Sequence, residues 1–138
     1  MKLGFVSAIL GNYSFEKLID TANKLGYECV EIACWPKGKT ERRYAGVSHI
    51  DVDDMTDEKA NYIKNYCKNK NVEISSLAFY PNTIGNDIEM RKNNISHLYK
   101  VIDASAKLGI NMVTTFIGRN QFKTVEDNIE LFKEVWPP

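Results

Sequence analysis

Asp20-Thr-Ala-Asn-Lys24-Leu25-Gly26-Tyr27-Glu28-Cys29-Val30 recurs without a gap as Asp103-Ala-Ser-Ala-Lys107-Leu108-Gly109-Ile110-Asn111-Met112-Val113. Five identities fall in register: Asp20 with Asp103, Lys24 with Lys107, Leu25 with Leu108, Gly26 with Gly109 and Val30 with Val113. In each copy a helical pattern stops at glycine and an apolar, strand-like run follows. Glycine enters the left-handed conformation at little cost, so it ends the helix and turns the chain back. An α-to-β joint used twice reads as a repeated βα unit, the building block of parallel sheets and barrels.

Outward from these joints the spacing predicts four strands: Lys2–Ala8, Cys29–Cys34, Glu73–Phe79 and Asn111–Ile117. Ser14 caps a helix that places Phe15, Leu18, Ile19, Ala22 and Leu25 at helical spacing before Gly26. Thr56 opens a second helix with Ala60, Ile63 and Cys67 on one face, and Asn71 takes the place glycine holds elsewhere. A third carries Ile95, Leu98, Ile102 and Ala106 to Gly109. Thr124, with Asp127 three residues on, starts a fourth bearing Ile129, Phe132 and Trp136. The order βαβαβαβα requires parallel strands and right-handed crossovers. The last helix has barely three turns before Pro137-Pro138 and no fifth strand follows, so the chain reads as the first half of something larger.

At 138 residues the chain is expected to form one domain, 1–138. It is too short for a complete eight-fold βα barrel, which takes about 250 residues. Apolar content of 43% and charged content of 26% suit a soluble globular protein. Zero formal net charge and a pI near 6.7 leave no basic footprint for nucleic acid or anionic lipid. Cys29, Cys34 and Cys67 form no C-x-x-C pair, so reduced thiols and a cytoplasmic location are expected. The run Leu3 to Leu10 is interrupted by Gly4 and leads straight into a helix, which favours a buried strand over a signal peptide. Nothing approaches the roughly 20 apolar residues that span a bilayer. Two glycosylation patterns, at Asn12 and Asn94, are taken as chance.

Two architectures accept the element order: an open doubly wound sheet and half of a closed barrel. The turn after strand one, Ile9-Leu10-Gly11-Asn12-Tyr13, lacks the glycine-rich fingerprints of dinucleotide and nucleoside triphosphate sites. Aligning the copies at their helix stops puts Glu31, Ser76 and Thr114 at equivalent positions. Side chains alternate along a strand, so Val30 and Ile32 face away from Glu31. Three strands thus show a polar group on one face, which a barrel lumen explains and a dry double-sided sheet does not.

Ligands of parallel barrels bind at the C-terminal ends of strands. That rule selects Ser7, Trp35, Tyr80, Asn82 and Gly118-Arg119-Asn120. Trp35 and Tyr80 fall at one aligned position, as two rings rimming one mouth; they either hold a sugar or merely cap the core. Arg119 offers a fork for phosphate or carboxylate, or a surface salt bridge. Glu31 in a lumen needs a partner, a metal or a raised pKa. His49, in the polar stretch from Pro36 to Asp54, could reach the mouth, whereas His97 is expected to be exposed and inert. Asp53-Asp54 and Asp57-Glu58 are accounted for by the dipole of the second helix, and no group has metal-ligand spacing.

Phe5-Val6-Ser7, Gly26-Tyr27-x-x-Val30-Glu31-Ile32, Cys34-Trp35-Pro36, Phe79-Tyr80-Pro81-Asn82 and Phe116-Ile117-Gly118-Arg119 together resemble the sugar phosphate isomerase/epimerase family of the xylose-isomerase-like TIM barrels. The likeness covers essentially the whole chain but only the N-terminal half of such a barrel. It implies an α/β fold, the parallel (βα)4 half of a TIM (β/α)8 barrel, truncated before strand five. It also implies a divalent metal (Mn, Mg, Co or Zn) in the complete barrel, held by two Glu, an Asp and a His, with proton transfer next to a carbonyl through an enediolate. Those ligands lie on later strands, so no metal and no catalytic residue is expected in this chain alone, and the fragment is expected to be inactive. What carries over is a mouth for a sugar or sugar phosphate: Trp35, Tyr80, Asn82, Phe116 and Arg119, with Glu31 inside.

Two alternatives stand beside that expectation. One is a non-catalytic half-barrel that binds a small ligand or forms a homodimer through its open edges. The other is an apurinic-endonuclease-like metal hydrolase, whose histidine ligands after strands three and four are here replaced by Tyr80 and Gly118-Arg119.

Overall fold

The computed structural model describes residues 1–38 and 44–136. Pro137-Pro138, read as the stop of the last helix, lie outside the described residues. The elements are β1 (Gly4–Val6), a 3-10 turn (Ser7–Leu10), α1 (Phe15–Lys24), β2 (Cys29–Ala33), α2 (Asp57–Asn69), β3 (Glu73–Ala78), α3 (Ile88–Leu108), β4 (Val113–Thr114) and α4 (Val125–Val135). The strands form one sheet in the order β1-β2-β3-β4, every pair parallel. Four βα units in sequence order with all neighbours parallel make the (βα)4 half of a TIM barrel.

Local chemistry sets the helix ends where the spacing predicts them. The hydroxyls of Ser14, Thr56 and Thr124 accept hydrogen bonds from the backbone N–H of Lys17, Lys59 and Asp127, at 3.2, 3.2 and 3.1 Å. Asp87 caps α3 in the same way. Gly26 and Gly109 sit at φ +79° and +71°, and Asn71 does take the left-handed position after α2, at φ +52°.

The strands are shorter than their apolar runs. β1 ends at Val6 because the chain winds into the 3-10 turn, where the Ser7 hydroxyl accepts from Ala33 N–H at 2.8 Å. Cys34 leaves β2 to bridge Ser48 in antiparallel fashion. β4 keeps two residues, since only β3 lies beside it. Between β2 and β3 the pairing slips: Val30 faces Ile74 and Glu31 faces Ser76, so Ser75 is an extra residue in a bulge.

Val30, Ile32, Leu77 and Phe79 point under the helices and join Leu18, Ile19, Ile63 and Val101 in one buried cluster. The opposite, inner face is open, so Val6 and Phe116 are exposed. Three expectations about helix faces are corrected. Leu25 is exposed, because it lies past the last turn of α1. In α3 the buried stripe is His97, Leu98, Val101, Ala104, Ser105 and Leu108, while Ile102 and Ala106 face outward. Both stripes have helical spacing; the buried one sets Leu98, Val101, Ala104 and Leu108 into the core cluster. Finally, α4 buries none of its residues, Ile129 and Phe132 included.

Candidate functional site

Glu31 is the centre of the inner face. Its neighbours Val30 and Ile32 are fully buried under the helices, so alternation turns Glu31 the other way. There it accepts three hydroxyl hydrogen bonds from two further strand lines: Ser76 to Oε2 at 3.2 Å, Thr114 to Oε2 at 2.9 Å and Tyr80 to Oε1 at 2.7 Å. A carboxyl group removed from bulk water requires such donors. Helix-stop alignment puts Ser76 opposite Glu31, which the pairing shows, and Thr114 at the same level. Thr114 instead pairs with Ala78, one inner-face position further along. It still meets Glu31 across β3 because Ser76 and Ala78 between them are small, and barrel strands tilt.

Burial pushes the Tyr80 phenol above its usual range; the Thr114 contact opposes this and Glu31 adds to it. The phenol therefore stays protonated and remains a donor at neutral pH. Above the Glu31 network, Val6, Ala33, Trp35, Ala78, Tyr80 and Phe116 line a cavity of about 210 Å³, with Tyr44 at its edge. The Tyr80 and Phe116 rings are 4.7 Å apart, and Trp35 stands edge-on to Phe79 at 4.9 Å. Trp35, Tyr80 and Phe116 thus share one mouth, and Glu31 lies beneath it. A wider recess of about 570 Å³ opens at the other pole, among Lys2, Glu73 and Leu108, where Lys2 is already paired with Glu73. That pole carries stability in barrels, so the smaller aromatic cavity is the better candidate.

The remaining selected residues are not brought into this cavity. Asn82 ties two loops together: Nδ2 donates to Arg119 O at 2.7 Å, and Oδ1 accepts from Ile84 N–H at 3.1 Å. Its fit is close, for a Cβ on Gly118 would stand 2.1 Å from Asn82 Oδ1. Asn120 is likewise occupied, accepting from Phe122 N–H and from Asn128. The Arg119 side chain is exposed and makes no ion pair among the described residues. Ser7 is fully buried as the clamp on Ala33.

His49 is buried in a different recess, beside Tyr13, Asp51 and Lys59. Its Nε2–H donates to Leu10 O at 3.2 Å, and Nδ1 has no partner among the described residues. Burial lowers its pKa. His97 is the clearest correction: it is buried, donates from Nε2 to Cys34 O at 2.8 Å, and packs edge-on against Phe79 at 4.7 Å. It holds the end of β2 beneath Trp35. Burial also raises the Cys34 thiol to about 12 and Cys67 to about 11, so both are inert.

Sequence reasoning aligned the polar and the aromatic positions of these strands but overlooked the small residue between them and the place of Phe116. Glu31-x-Ala33-x-Trp35 and Ser76-x-Ala78-x-Tyr80 both read polar, small, aromatic with a period of two. Thr114-x-Phe116 repeats the ends of that pattern. The signal was present in the sequence and required only that the aligned polar and aromatic positions be joined through Ala33 and Ala78.

The divalent metal that the resemblance implies finds no ligand set among the described residues. No group of three His, Cys, Asp or Glu side chains among the described residues could hold an ion, and Glu31 already spends its oxygens on hydroxyls. No described helix is long and apolar enough to cross a membrane.

Comparison with known proteins agrees with this geometry. A structure of a xylose isomerase domain protein from Planctomyces limnophilus superposes with a TM-score of 0.61 at 14% identity, over 96% of this chain and 46% of that one. The probable 3-DHS dehydratase AsbF, involved in petrobactin synthesis in Bacillus anthracis, gives 0.62 at 16% identity, over 97% of this chain and 45% of that one. The chain therefore spans just under half the length of these structures, and the likeness is one of fold. No curated protein matches the sequence. The model of the xylose isomerase-like TIM barrel family matches residues 19–137. The chain belongs to that family.

Proposed function

We propose that this xylose isomerase-like half-barrel forms one wall of a site for a sugar or sugar phosphate, in a protein whose reaction moves a proton next to a carbonyl through an enediolate. The supporting observation is the Glu31 carboxyl group, held by Ser76, Thr114 and Tyr80 beneath the rings of Trp35, Tyr80 and Phe116. Sugars present C–H faces to aromatic rings and hydroxyls to fixed acceptors and donors, and this wall offers both within one cavity. Tyr80 joins the two, with its ring in the mouth and its hydroxyl on Glu31. The exposed Arg119 guanidinium, just past Phe116, suits a phosphate group.

In this reading the chain binds and orients substrate. The proton-transferring carboxylates and metal ligands come from outside the described residues, so the chain by itself has no isomerase activity. Calorimetric titration with aldoses, ketoses and their phosphates tests the proposal. Saturable binding of roughly millimolar strength is expected, weakened about tenfold by Tyr80→Ala. Arg119→Ala should weaken only the phosphorylated ligands. Absence of saturable binding, or binding indifferent to Tyr80→Ala, removes the proposal.

A further inference from the structure

We infer that His49 is an acid-sensitive latch: its neutral ring holds the returning loop 44–52 against the turn after β1, and a protonated ring lets the loop go. Beyond β2 that loop comes back alongside the strand end. Trp35 N–H donates to Val47 O at 3.2 Å and His49 N–H to Ala33 O at 2.9 Å, on either side of the Cys34–Ser48 bridge. The return brings Tyr44 and Ala45 to the wall of the aromatic cavity. Two side chains fasten it to the turn after β1. Val47 lies so close to Gly11 that a Cβ there would stand 2.9 Å from Val47 Cγ2. Two residues on, the His49 ring donates from Nε2 to Leu10 O at 3.2 Å. These contacts join the first βα unit to the second.

The ring suits this place only without a charge. A neutral imidazole has one N–H, which Leu10 accepts here; a protonated one carries a second N–H, on Nδ1. His49 is 8% exposed, and Nδ1 has no partner among the described residues. The charged and titratable groups around it in the same recess are Tyr13 before α1, Glu16 on α1, Lys37 and Asp51 on the loop, and Lys59 and Tyr62 on α2. Both carboxylates are engaged: Asp51 pairs with Lys37 at 2.8 Å, and Glu16 accepts from the Tyr62 hydroxyl at 3.0 Å. Lys59 turns its ammonium to Asp51 O at 2.8 Å. An imidazolium formed here is buried without a counter-ion, so it gains by swinging out to water. Burial holds the ring's pKa below its ordinary value, in keeping with this. The swing breaks the bond to Leu10, frees the loop from the turn and draws Tyr44 and Ala45 off the cavity wall. That the cavity then loses its grip on a sugar rests on the function proposed above; the latch itself does not.

Nuclear magnetic resonance on the full chain without ligand tests this, by following the His49 ring nitrogens and amide exchange through the histidine range, about pH 7.5 to 4.5. The neutral ring should be the Nε2–H tautomer. As it protonates, the protection of the Trp35 and His49 amides should fall at least about tenfold relative to an unfolded chain at the same pH, while Ile63 and Val101 keep theirs. His49→Gln offers Leu10 an N–H that does not titrate, so its loop should stay protected throughout. His49→Ala removes the latch, and its Trp35 amide should be unprotected already at neutral pH. Protection of Trp35 that survives ring protonation, or survives in His49→Ala, overturns the inference. So does a loss that Val101 shares, or one that His49→Gln repeats at the same pH. A ring that remains neutral to the acid end of the range overturns it as well. Because no ligand is present, a failed latch leaves the sugar site standing, and a failed sugar titration leaves the latch.

Discussion

The two copies of the repeated joint carry nearly the same local instructions and meet different fates. After Gly26 the chain enters a five-residue strand in which Val30 is fully buried; after Gly109 it enters a two-residue strand in which Val113 is half-buried. The turns themselves agree, with φ of +79° and +71°. What differs is company: β2 has a strand on each side, whereas β4 has β3 alone. A joint is therefore written locally, while burial is decided by neighbours that the local sequence does not name.

The largest test of that contrast is a matched pair of truncations read by urea denaturation. Val30→Ala should cost about 2 kcal/mol, from two lost methyl groups and the cavity they leave, and Val113→Ala under about 1 kcal/mol. Equal costs would break the comparison. Gly26→Ala and Gly109→Ala should each cost about 1–2 kcal/mol, because nothing crowds a Cβ at either site and only the backbone conformation is penalised. A large difference between them would show that the joints are not locally encoded after all.

Thr114→Val keeps the shape of β4 but removes one donor to Glu31, for about 1 kcal/mol. If the effect exceeds that of Val30→Ala, the inner-face network and not the helix-side core is what secures β4. The smallest effect concerns His49. Its folded pKa lies below the unfolded value near 6.5, so it stays neutral in the fold while the unfolded chain takes up a proton. Stability should hold above about pH 6.5, fall as pH drops from there towards the folded value, and level off below it. His49→Gln should flatten that part of a stability–pH profile; an unchanged slope would assign it to other groups.

The element order, parallel sheet, three helix caps and three left-handed stops were legible because each depends on a few adjacent residues. The facing of Glu31 followed from alternation alone. The buried stripe of α3 was not legible, since Ile102 and Ala106 fit helical spacing as well as Val101 and Ser105 do; the choice is made by which face meets α2, β3 and β4, elements distant in sequence. His97 was misplaced for the same reason: its partner, the carbonyl of Cys34, lies 63 positions away. Asn82 was selected for the mouth by its position after β3, yet its amide closes a gap that exists only once Gly118 comes near.

The extra residue in β3 has a wider effect than a local kink. Val72 and Ile74 are written for the helix side in one reading frame, and Leu77 and Phe79 in the other; Ser75 is where the frame changes. Were β3 to pair with β2 straight through, setting no residue aside, the composition of the strand would be unchanged while its inside and outside were exchanged from there onward. The Ser76 hydroxyl would turn towards the hydrocarbon, Leu77 would confront the Glu31 carboxyl, and the Tyr80 ring would leave the mouth. One apparently idle residue thus keeps greasy and wet halves of the strand in step with their surroundings.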